Sequence, residues 1–243
     1  MIKEIDVTDF KGKTVLVVGG SRGIGAAIVR DFAASGAKVR FTYAGATDAA
    51  KALAESTGAV AVQADAADRA ALLQTVRDAG PIDVFVYNAG LLINGDPLEL
   101  DADAVDRMID VNVRGAYHGS VEAARAMPAN GRIIVIGSVN GDRVPFPGIS
   151  AYAMTKSALQ GMARGLARDF GPRGITVNVV QPGPTDTGMN PADGPYASQM
   201  HAVMATGRHG TVDEVTHLVR YLASPGASGT TGAMHTIDGG FGA

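Results

Sequence analysis

The sequence predicts an α/β protein, with a single doubly wound parallel sheet of about seven strands and helices on both faces. Three observations lead to this prediction. Short apolar runs alternate with helical stretches along the chain. The first of these runs, "KTVLVVGG", lacks polar alternation, as expected for a strand that is buried on both faces. No linker or shift in composition divides the chain, so residues 1–243 are expected to form one domain.

The strands and helices are expected in alternation. The first strand, "KTVLVVGG", is a short apolar run, and the first helix, "IGAAIVRDFAASG", is amphipathic, rich in alanine and closed by Gly36. The fourth helix is expected to bend near Gly115. The expected strands are 13–20, 37–45, 59–65, 82–90, 131–138, 174–183 and 233–240, and the expected helices are 24–36, 47–57, 68–79, 101–127, 151–170 and 212–224.

Composition excludes several classes of function. The chain has no cysteine, which rules out disulfides, thiolate catalysis and cysteine-ligated zinc and fits a reducing compartment, so a cytoplasmic location is expected. Its five histidines are scattered, and no metal site is expected. The net charge of −3 indicates neither a nucleic-acid polymer nor an anionic membrane as a partner. The start, "MIKEIDVTDFKGK", lacks the apolar core of a secretory signal, and no apolar run is long enough to span a membrane.

A glycine-rich turn, "VVGGSRGIG", joins the first strand to the first helix. Its glycines have the spacing GxxxGxG, which permits a tight turn and close backbone approach. The helix that follows offers free N–H groups and the positive end of its dipole to a pyrophosphate. A turn without a ligand is the alternative, but the position at the first strand–helix junction favours dinucleotide binding. The candidate residues are Gly19, Ser21, Arg22, Gly23, Ile24 and Gly25.

The end of the second strand bears on the choice between NAD and NADP. An acidic residue there would bind the ribose 2′-hydroxyl of NAD. The strand reads "VRFTYAG", with Tyr43 near the expected position and no acid before Asp48. Arg22 and Arg40 are available for a 2′-phosphate, although Arg40 could instead point to solvent. The sequence therefore predicts that NADP(H) is preferred over NAD(H).

Polar residues follow the ends of the other strands, where an open α/β sheet binds its ligand. Asn112 lies inside a predicted helix, where asparagine is unfavourable unless its side chain has a role. The alternative is a kink residue that bonds a neighbouring carbonyl. Ser138 could equally satisfy a turn at its strand end. The strand-end candidates are Asp65, Asn88, Ala89, Gly90, Ser138, Pro182, Gly183, Thr185 and Thr187.

The stretch "AYAMTK" contains Tyr152 and Lys156, which lie one turn apart on one helix face. An ammonium beside a phenol favours the phenolate and would lower the tyrosine pKa toward working pH. Such a tyrosine acts as a general acid or base on a carbonyl or alcohol, and a nicotinamide cofactor would make the reaction a hydride transfer. A core tyrosine and a solvated lysine are the alternative. No G-x-S-x-G motif is present, which disfavours a hydrolase.

Taken together, these motifs resemble the short-chain dehydrogenase/reductase family over nearly the whole chain, from Gly12 to Gly240. The motifs that carry the resemblance are "GGSRGIG", "NAG" at 88–90, "VNV" around Asn112, Ser138, "YAMTK" and "QPGPTDT", in the family's order and spacing. Two positions depart from the family pattern: Val18 stands where threonine is usual, and Tyr87 where "NNAG" has its first asparagine. Altered local hydrogen bonding is expected there, without loss of catalysis.

The resemblance implies a role for each candidate. Tyr152 would be the general acid/base, and Lys156 would lower its pKa and hold the nicotinamide ribose. Ser138 would polarise the substrate oxygen, and Asn112 would hold a water in a proton relay to Lys156. The remaining contacts implied are Asp65 to the adenine, Asn88 along the cofactor cleft, and Thr185 and Thr187 at the carboxamide end.

A second class of function stays open. Within the family the chain also resembles a bacterial member that binds cyclic di-GMP, which implies a nucleotide-binding regulator on the same fold, with or without turnover. Such a site needs arginines and stacking surfaces, and Arg22, Arg40, Arg114 and Arg143 are candidates that have equally good roles elsewhere. A fold alone does not decide between the two classes.

The substrate would be a small carbonyl or alcohol, bound between 138–147, 91–95 and residues 188–206 of the irregular stretch 182–210. Helical content around 196–205 would make that stretch a lid. Its pocket wall is predicted to be apolar, or else its methionines pack the lid on the core: Val144, Phe146, Met189, Met200 and Met204. A homodimer or homotetramer is expected through the helices 101–127 and 151–170, which are rich in small and apolar residues: Ala158, Leu159, Met162, Ala163 and Leu166. Packing of these residues on the sheet alone is the alternative.

Overall fold

The computed structural model describes residues 10–243, and the start of the chain, for which no secretory signal is expected, lies mostly outside the described residues. Within that part, seven parallel strands form one sheet in the order β3-β2-β1-β4-β5-β6-β7. The strands are β1 Thr14–Val18, β2 Lys38–Tyr43, β3 Val60–Gln63, β4 Val84–Tyr87, β5 Arg132–Ile136, β6 Thr176–Pro182 and β7 Met234–Ile237. The predicted doubly wound sheet is confirmed.

Eight α-helices connect these strands in the described residues. They are α1 Gly23–Ala34, α2 Thr47–Thr57, α3 Arg69–Asp78, α4 Ala102–Ile109, α5 Ala116–Ala126, α6 Ser150–Phe170, α7 Ala197–Val203 and α8 Val212–Ala223. Helices α3, α5 and α6 cover one face of the sheet, and α1, α2 and α8 cover the other. None of the described helices is both long and apolar enough to cross a membrane.

Strands β1, β4, β5 and β6 bury both of their faces, which explains the uninterrupted apolar sequence of β1. In β1, Leu16 and Val18 pack with α3, α5 and α6, whereas Val15 and Val17 pack with α1, α2 and α8. All four side chains are fully buried. Alternate residues therefore supply two separate cores, as a sheet covered on both faces requires.

The strand order reverses between β1 and β4, which are neighbours although two strands separate them in sequence. A crevice for a ligand forms at such a switch point, beyond the carboxyl ends of the strands. The glycine-rich turn follows β1, and Asn88 follows β4. The fold therefore brings these two segments to the same crevice.

The bend predicted near Gly115 is a π-helical turn, Asp110–Gly115, between α4 and α5. A Cβ atom at Gly115 would overlap the Tyr87 hydroxyl and lie 2.8 Å from the Ala66 carbonyl oxygen, so only glycine fits. Tyr87 donates a hydrogen bond of 2.5 Å to the carbonyl of Val111 within this turn. At this position, where the family usually has asparagine, the Tyr87 hydroxyl thus bonds the π-helical turn.

The irregular stretch 182–210 contains α7, which agrees with the helical content expected around 196–205. We call residues 188–206 the lid. Met204 at its end packs with Val139 and Phe241 in a small apolar cluster apart from the two main cores. The lid is therefore anchored on the segment that follows Ser138.

Candidate active site

The glycine-rich turn packs tightly against the end of β4. Gly19 and Gly23 have positive φ angles of 79° and 51°. A Cβ atom at Gly25 would overlap the carbonyl oxygen of Gly19 and lie 2.5 Å from Asn88 Nδ2. Asn88 Nδ2 donates to that carbonyl at 2.7 Å, and Thr42 Oγ1 accepts from the Gly19 N–H at 3.0 Å. The N-terminal turn of α1 is thereby left open to a pyrophosphate.

Two of the residues predicted to contact the ribose 2′ position, Arg22 and Tyr43, lie near the carboxyl ends of β1 and β2. Arg22 is the residue that precedes α1, and its exposed side chain forms no bond to any residue of 10–243. Tyr43 is the last residue of β2. Arg40, in contrast, lies in the middle of β2, paired in register with Leu16, about 10 Å before the strand end. Arg22 is therefore the cation best placed for a 2′-phosphate.

Asp65, predicted to contact the adenine, follows β3 and is held by Arg107, a residue that sequence reasoning did not single out. Arg107 Nη2 donates to Asp65 Oδ2 at 2.6 Å, and the Ala67 N–H donates to Oδ1 at 3.0 Å. Burial raises the pKa of Asp65, but the hydrogen bonds from Arg107 and Ala67 outweigh it, and the net pKa is lowered. Asp65 is thus a fixed, ionised acceptor at the edge of the cleft.

Ser138, Tyr152 and Lys156 meet at the carboxyl end of β5. The Ser138 side chain lies close enough to the phenol of Tyr152, in the first turn of α6, to lower its pKa. Ser138 Oγ also accepts from the Asn140 N–H at 3.1 Å, as the turn alternative for this residue proposed. Lys156 Nζ lies 5.6 Å from the centre of the Tyr152 ring and donates to the Ile136 carbonyl at 3.0 Å. Lys156 is 5% exposed, which excludes the solvated lysine that the sequence left open.

Asn112 lies in the π-helical turn, and its side chain reaches out of the helix. Its Oδ1 accepts from the Leu91 N–H at 2.8 Å, and its Nδ2 donates to the Leu91 carbonyl at 2.9 Å and to Thr155 Oγ1 at 3.0 Å. The side chain therefore bonds the backbone of another segment, at Leu91, and not a carbonyl of its own helix. It ties the segment after β4 to α6, one residue before Lys156.

Asn112 and Lys156 lie close together beside Gly90. A Cβ atom at Gly90 would lie 3.5 Å from Lys156 Nζ and 3.6 Å from Asn112 Oδ1. The two polar groups therefore lie on the same side of Gly90, next to the backbone of 88–90. Thr155, which sequence reasoning missed, completes this arrangement by donating to the Tyr152 carbonyl at 2.7 Å.

The residues after β6 form the other wall of the crevice. Pro182 is the last residue of β6, and Gly183 packs against Asp238, where a Cβ atom would meet backbone at 2.6 Å. The buried Thr185 donates to the Gly183 carbonyl at 3.0 Å. Thr187 Cγ2 lies 3.4 Å from the position of a Cβ atom on Gly23, so this segment reaches across to the glycine-rich turn.

Known proteins match this chain over nearly its full length. A family model described as enoyl-(acyl carrier protein) reductase matches residues 18–242. A cyclic-di-GMP-binding biofilm dispersal mediator protein of Escherichia coli strain K12 is 63% identical over 234 residues, which are 96% of this chain and 99% of the relative. The solved structure of BdcA in complex with NADPH is 63% identical, with a TM-score of 0.95, and 96% of each chain is covered. A short-chain dehydrogenase/reductase from Serratia marcescens is 52% identical, with a TM-score of 0.94, and 96% of this chain and 99% of the other are covered.

The chain belongs to the short-chain dehydrogenase/reductase family. The resemblance inferred from the motifs is thereby confirmed. The motifs of this family follow the ends of β1 and β4 at the switch point, and then the ends of the neighbouring strands β5 and β6.

Burial raises the pKa of Tyr152 in this short-chain dehydrogenase/reductase, and Ser138 offsets only part of the rise. Lys156, which was expected to lower this pKa, is not among the groups that shift it. Burial also lowers the pKa of Lys156 to about 8, because the ammonium loses its hydration and no carboxylate of 10–243 contacts it. The chain's own residues therefore keep the phenol protonated near neutral pH, which suits proton donation to a carbonyl.

The apolar side chains predicted to form the pocket wall differ in how far they are buried. Met204 is buried and packs the lid on the segment after Ser138, as the alternative for the methionines proposed. Phe146 packs against Phe241, with ring centres 6.2 Å apart. Val144 and Met189 are 49% and 66% exposed. Apolar side chains are thus available to a substrate from the loop after β5 and from the lid.

Proposed function

We propose that the chain, acting as one domain over residues 1–243, is an NADP(H)-dependent oxidoreductase that reduces a carbonyl to an alcohol, or catalyses the reverse reaction. The observation that carries this proposal is the position of the Tyr152 phenol, which lies next to the Ser138 side chain and has Lys156 Nζ 5.6 Å from its ring centre, at the carboxyl ends of the strands where the glycine-rich turn follows β1. Phenol, hydroxyl and ammonium supply the groups that carbonyl reduction requires.

The residues have separate roles in the proposed reaction. Bound NADPH supplies the hydride. Ser138 donates to the substrate oxygen and polarises the carbonyl, and Tyr152 gives its phenolic proton to the developing alkoxide. Lys156 holds the nicotinamide ribose and replaces that proton through a relay in which Asn112 holds a water.

Different residues along the cleft would bind different parts of the cofactor. The turn from Gly19 to Gly25 would bind the pyrophosphate, and Asp65 the adenine. Asn88, Ala89 and Gly90 would line the cleft. Pro182, Gly183, Thr185 and Thr187 would fix the carboxamide end. The close backbone contacts at Gly19 and Gly25 support this assignment, because they leave no room for side chains.

A screen of NADPH oxidation against ketones, aldehydes and diketones tests the proposed activity. We expect the purified chain to consume NADPH with at least one carbonyl class, measured as loss of nicotinamide absorbance. The Tyr152→Phe variant is the matched control. NADPH binding without turnover of any compound would contradict the proposed catalysis and leave only the binding function.

Preference for NADP(H) rests on Arg22, on the absence of an acid at the end of β2, and on the NADPH bound by the BdcA relative. Arg22→Ala is expected to weaken NADPH binding by about 10-fold or more, because a charge-assisted contact to the 2′-phosphate is lost. Affinity for NADH should change by less than about 2-fold, since NADH has no such phosphate. Fluorescence titration with both cofactors measures the two constants.

Arg30→Ala provides the control for this prediction. Arg30 is exposed on the same helix, and its side chain bonds to no residue of 10–243. Its replacement removes the same charge from the chain without touching the cleft. Equal losses in Arg22→Ala and Arg30→Ala, or tighter binding of NADH than of NADPH by the unaltered chain, would refute the assignment.

We infer a second candidate function, binding of cyclic di-GMP, from the name of the relative that is 63% identical. Two of the four candidate arginines already have partners: Arg114 pairs with Asp110, and Arg143 donates to the Phe241 carbonyl at 2.7 Å. Of the other two, Arg22 lies next to the glycine-rich turn, whereas Arg40 lies in the middle of β2, before the strand end. Through Arg22, cyclic di-GMP would occupy the cofactor cleft rather than a separate site.

Calorimetry with cyclic di-GMP, in the absence and presence of saturating NADPH, tests this candidate. Saturable heat that NADPH abolishes would support a shared cleft. Heat that NADPH leaves unchanged would place the ligand elsewhere, and no heat in either titration would exclude the binding function. The NADPH-oxidation screen is independent of these outcomes.

We further propose a homodimer or homotetramer that packs through α5 and α6, although not through all of the residues that the sequence suggested. Leu159, Ala163 and Leu166 are buried in the core of one chain. Support comes instead from exposed small residues and a methionine on one face of α6: Met154, Ala158, Gly161 and Gly165. Light scattering would give a mass of two or four times the 24.8 kDa of one chain.

We also infer that the chain acts in the cytoplasm. Its sequence has no cysteine, so no disulfide requires an oxidising compartment.

A further inference from the structure

Three polar side chains form a closed hydrogen-bond ring below the catalytic residues. Gln160 Nε2 donates to Asp142 Oδ1 at 2.6 Å and to Gln181 Oε1 at 3.0 Å. Gln181 Nε2 donates to Asp142 Oδ2, which closes the ring. Gln160 and Gln181 are 9% and 1% exposed. We call these three residues the amide–carboxylate ring.

Each member of the ring belongs to a segment that carries a site residue. Asp142 follows Ser138 by four residues, Gln160 follows Lys156 by one turn of α6, and Gln181 immediately precedes Pro182 at the end of β6. The ring therefore joins the loop, the helix and the strand whose relative positions define the site.

Further contacts hold the loop on α6 at the same place. Ser157 Oγ donates to the Gly141 carbonyl at 2.8 Å. A Cβ atom at Gly141 would lie 3.0 Å from Gln160 Nε2 and 3.2 Å from the Lys156 carbonyl oxygen. The turn Val139–Gly141 thus rests directly on the helix turn that contains Lys156. Any slippage of this turn would change the distance between Ser138 and Tyr152.

The chemistry of the ring is suited to setting a position. Hydrogen bonds are directional, and two buried amides that lose their carboxylate would each be left with an unsatisfied donor. Apolar contacts at the same place would tolerate sliding of the loop on the helix. Polar networks that are fully satisfied specify one arrangement for this reason.

We propose, on the basis of the function proposed above, that Asp142, Gln160 and Gln181 are positioning residues that hold the Ser138 hydroxyl against the Tyr152 phenol. None of the three belongs to the Ser138, Tyr152 and Lys156 group itself, and each acts through the segment to which it belongs. Displacement of reacting groups by about 1 Å lowers rates by about 100-fold, so small shifts of the loop are sufficient to matter.

The first test measures the Ser138–Tyr152 contact without turnover. In protein labelled with ¹³C at tyrosine Cζ, the Tyr152 resonance, assigned with Tyr152→Phe, reports hydrogen bonding to the phenol at neutral pH. Asp142→Asn replaces one acceptor oxygen by an NH₂ group that opposes an amide donor. We expect it to shift the Tyr152 resonance in the same direction as Ser138→Ala does.

A double-variant comparison separates positioning through Ser138 from a general effect on stability. Asp142→Asn combined with Ser138→Ala should shift the resonance no further than Ser138→Ala alone, since the two changes break one contact. Asp106→Asn, at an exposed aspartate on α4 whose side chain bonds to no residue of 10–243, should leave the resonance unchanged. An unchanged resonance in Asp142→Asn, or additive shifts in the double variant, would overturn the proposal.

Kinetics with a carbonyl found in the NADPH-oxidation screen provide the second test. We expect Asp142→Asn to lower kcat by about 10- to 100-fold while KM and the affinity for NADPH stay within about 3-fold. A loss confined to cofactor affinity would contradict positioning of Ser138. If Asp142→Asn does not fold, Gln160→Met, which keeps the volume and removes both hydrogen bonds, carries the same expectations. The resonance measurement holds even if no carbonyl is turned over, so failure of the proposed function and failure of the ring are distinguishable.

Discussion

Replacement of Tyr152 by phenylalanine is expected to lower kcat for carbonyl reduction by about 10³-fold while NADPH binds with nearly unchanged affinity. Phenylalanine keeps the ring next to Lys156 but removes the phenolic proton that would be given to the substrate oxygen. Because burial raises the pKa of Tyr152, the unaltered enzyme carries this proton throughout the neutral range. Steady-state NADPH oxidation and a fluorescence titration of NADPH measure the two quantities.

Tyr221→Phe is the matched control for this prediction. Tyr221 is 45% exposed on α8, on the face of the sheet opposite to α6, and the same hydroxyl is removed there without effect on the site. Carbonyl reduction that persists in Tyr152→Phe at more than about one tenth of the original rate would show that another group donates the proton.

Lys156→Met is expected to inactivate the enzyme and at the same time to stabilise its fold at pH 7. Burial lowers the pKa of Lys156 from its usual 10.5 to about 8, which corresponds to a cost of about 3 kcal/mol for the buried ammonium. Methionine removes that charge and keeps most of the apolar stem. The Ile136 carbonyl loses its hydrogen bond from Nζ, which offsets about 1 kcal/mol. Urea unfolding at pH 7 measures the net gain, expected to be about 2 kcal/mol.

The pH dependence of stability gives an independent check on Lys156. Between about pH 8 and 10.5 the unfolded chain holds a proton on this lysine that the folded chain has released. The free energy of unfolding therefore rises with pH through this window, and the contribution is lost as pH falls through about 8. Lys156→Met should lack this rise, whereas Lys51→Met, at an exposed lysine of α2, should retain it. Lower stability of Lys156→Met than of the unaltered chain at pH 7 would contradict the buried charge.

The loss of activity in Lys156→Met follows from the proposed hold on the nicotinamide ribose and from the relay that returns the proton to Tyr152. A lysine that costs stability and is nevertheless retained in the core is typical of a functional group. Proteins accept such costs at their active sites, where activity and stability make opposing demands.

Local sequence patterns were sufficient for most of the fold. Apolar runs such as "KTVLVVGG" predict strands covered on both faces, because neither face tolerates a polar side chain. The alternation of these runs with helices allows few arrangements other than a doubly wound sheet. The π-helical turn at Asp110–Gly115 could not be predicted, since it depends on the close approach of Tyr87 and Ala66 to Gly115. These residues are distant in sequence.

The sequence predicted the types of residue in the site more completely than it predicted the directions of their pKa shifts. The spacing of Tyr152 and Lys156 indicated a phenol–ammonium pair, but the direction of their pKa values depends on how much water the fold removes from both groups. The hydrogen-bond partners of Asp65 and Asn112 could not be predicted from local sequence patterns either. Arg107 and Leu91 become neighbours only when β3, β4 and α4 are packed together.

By itself, the sequence determined that this chain folds as a doubly wound sheet with a glycine-rich phosphate turn and a Tyr–Lys pair on one helix, because periodicity, glycine spacing and the helical repeat are local properties. Only the tertiary structure decided that Lys156 is buried with a lowered pKa, that Tyr152 keeps its proton, and that Asp142, Gln160 and Gln181 join the three segments of the site. Burial and hydrogen-bond geometry depend on which distant segments the fold brings together, and no local pattern contains that information.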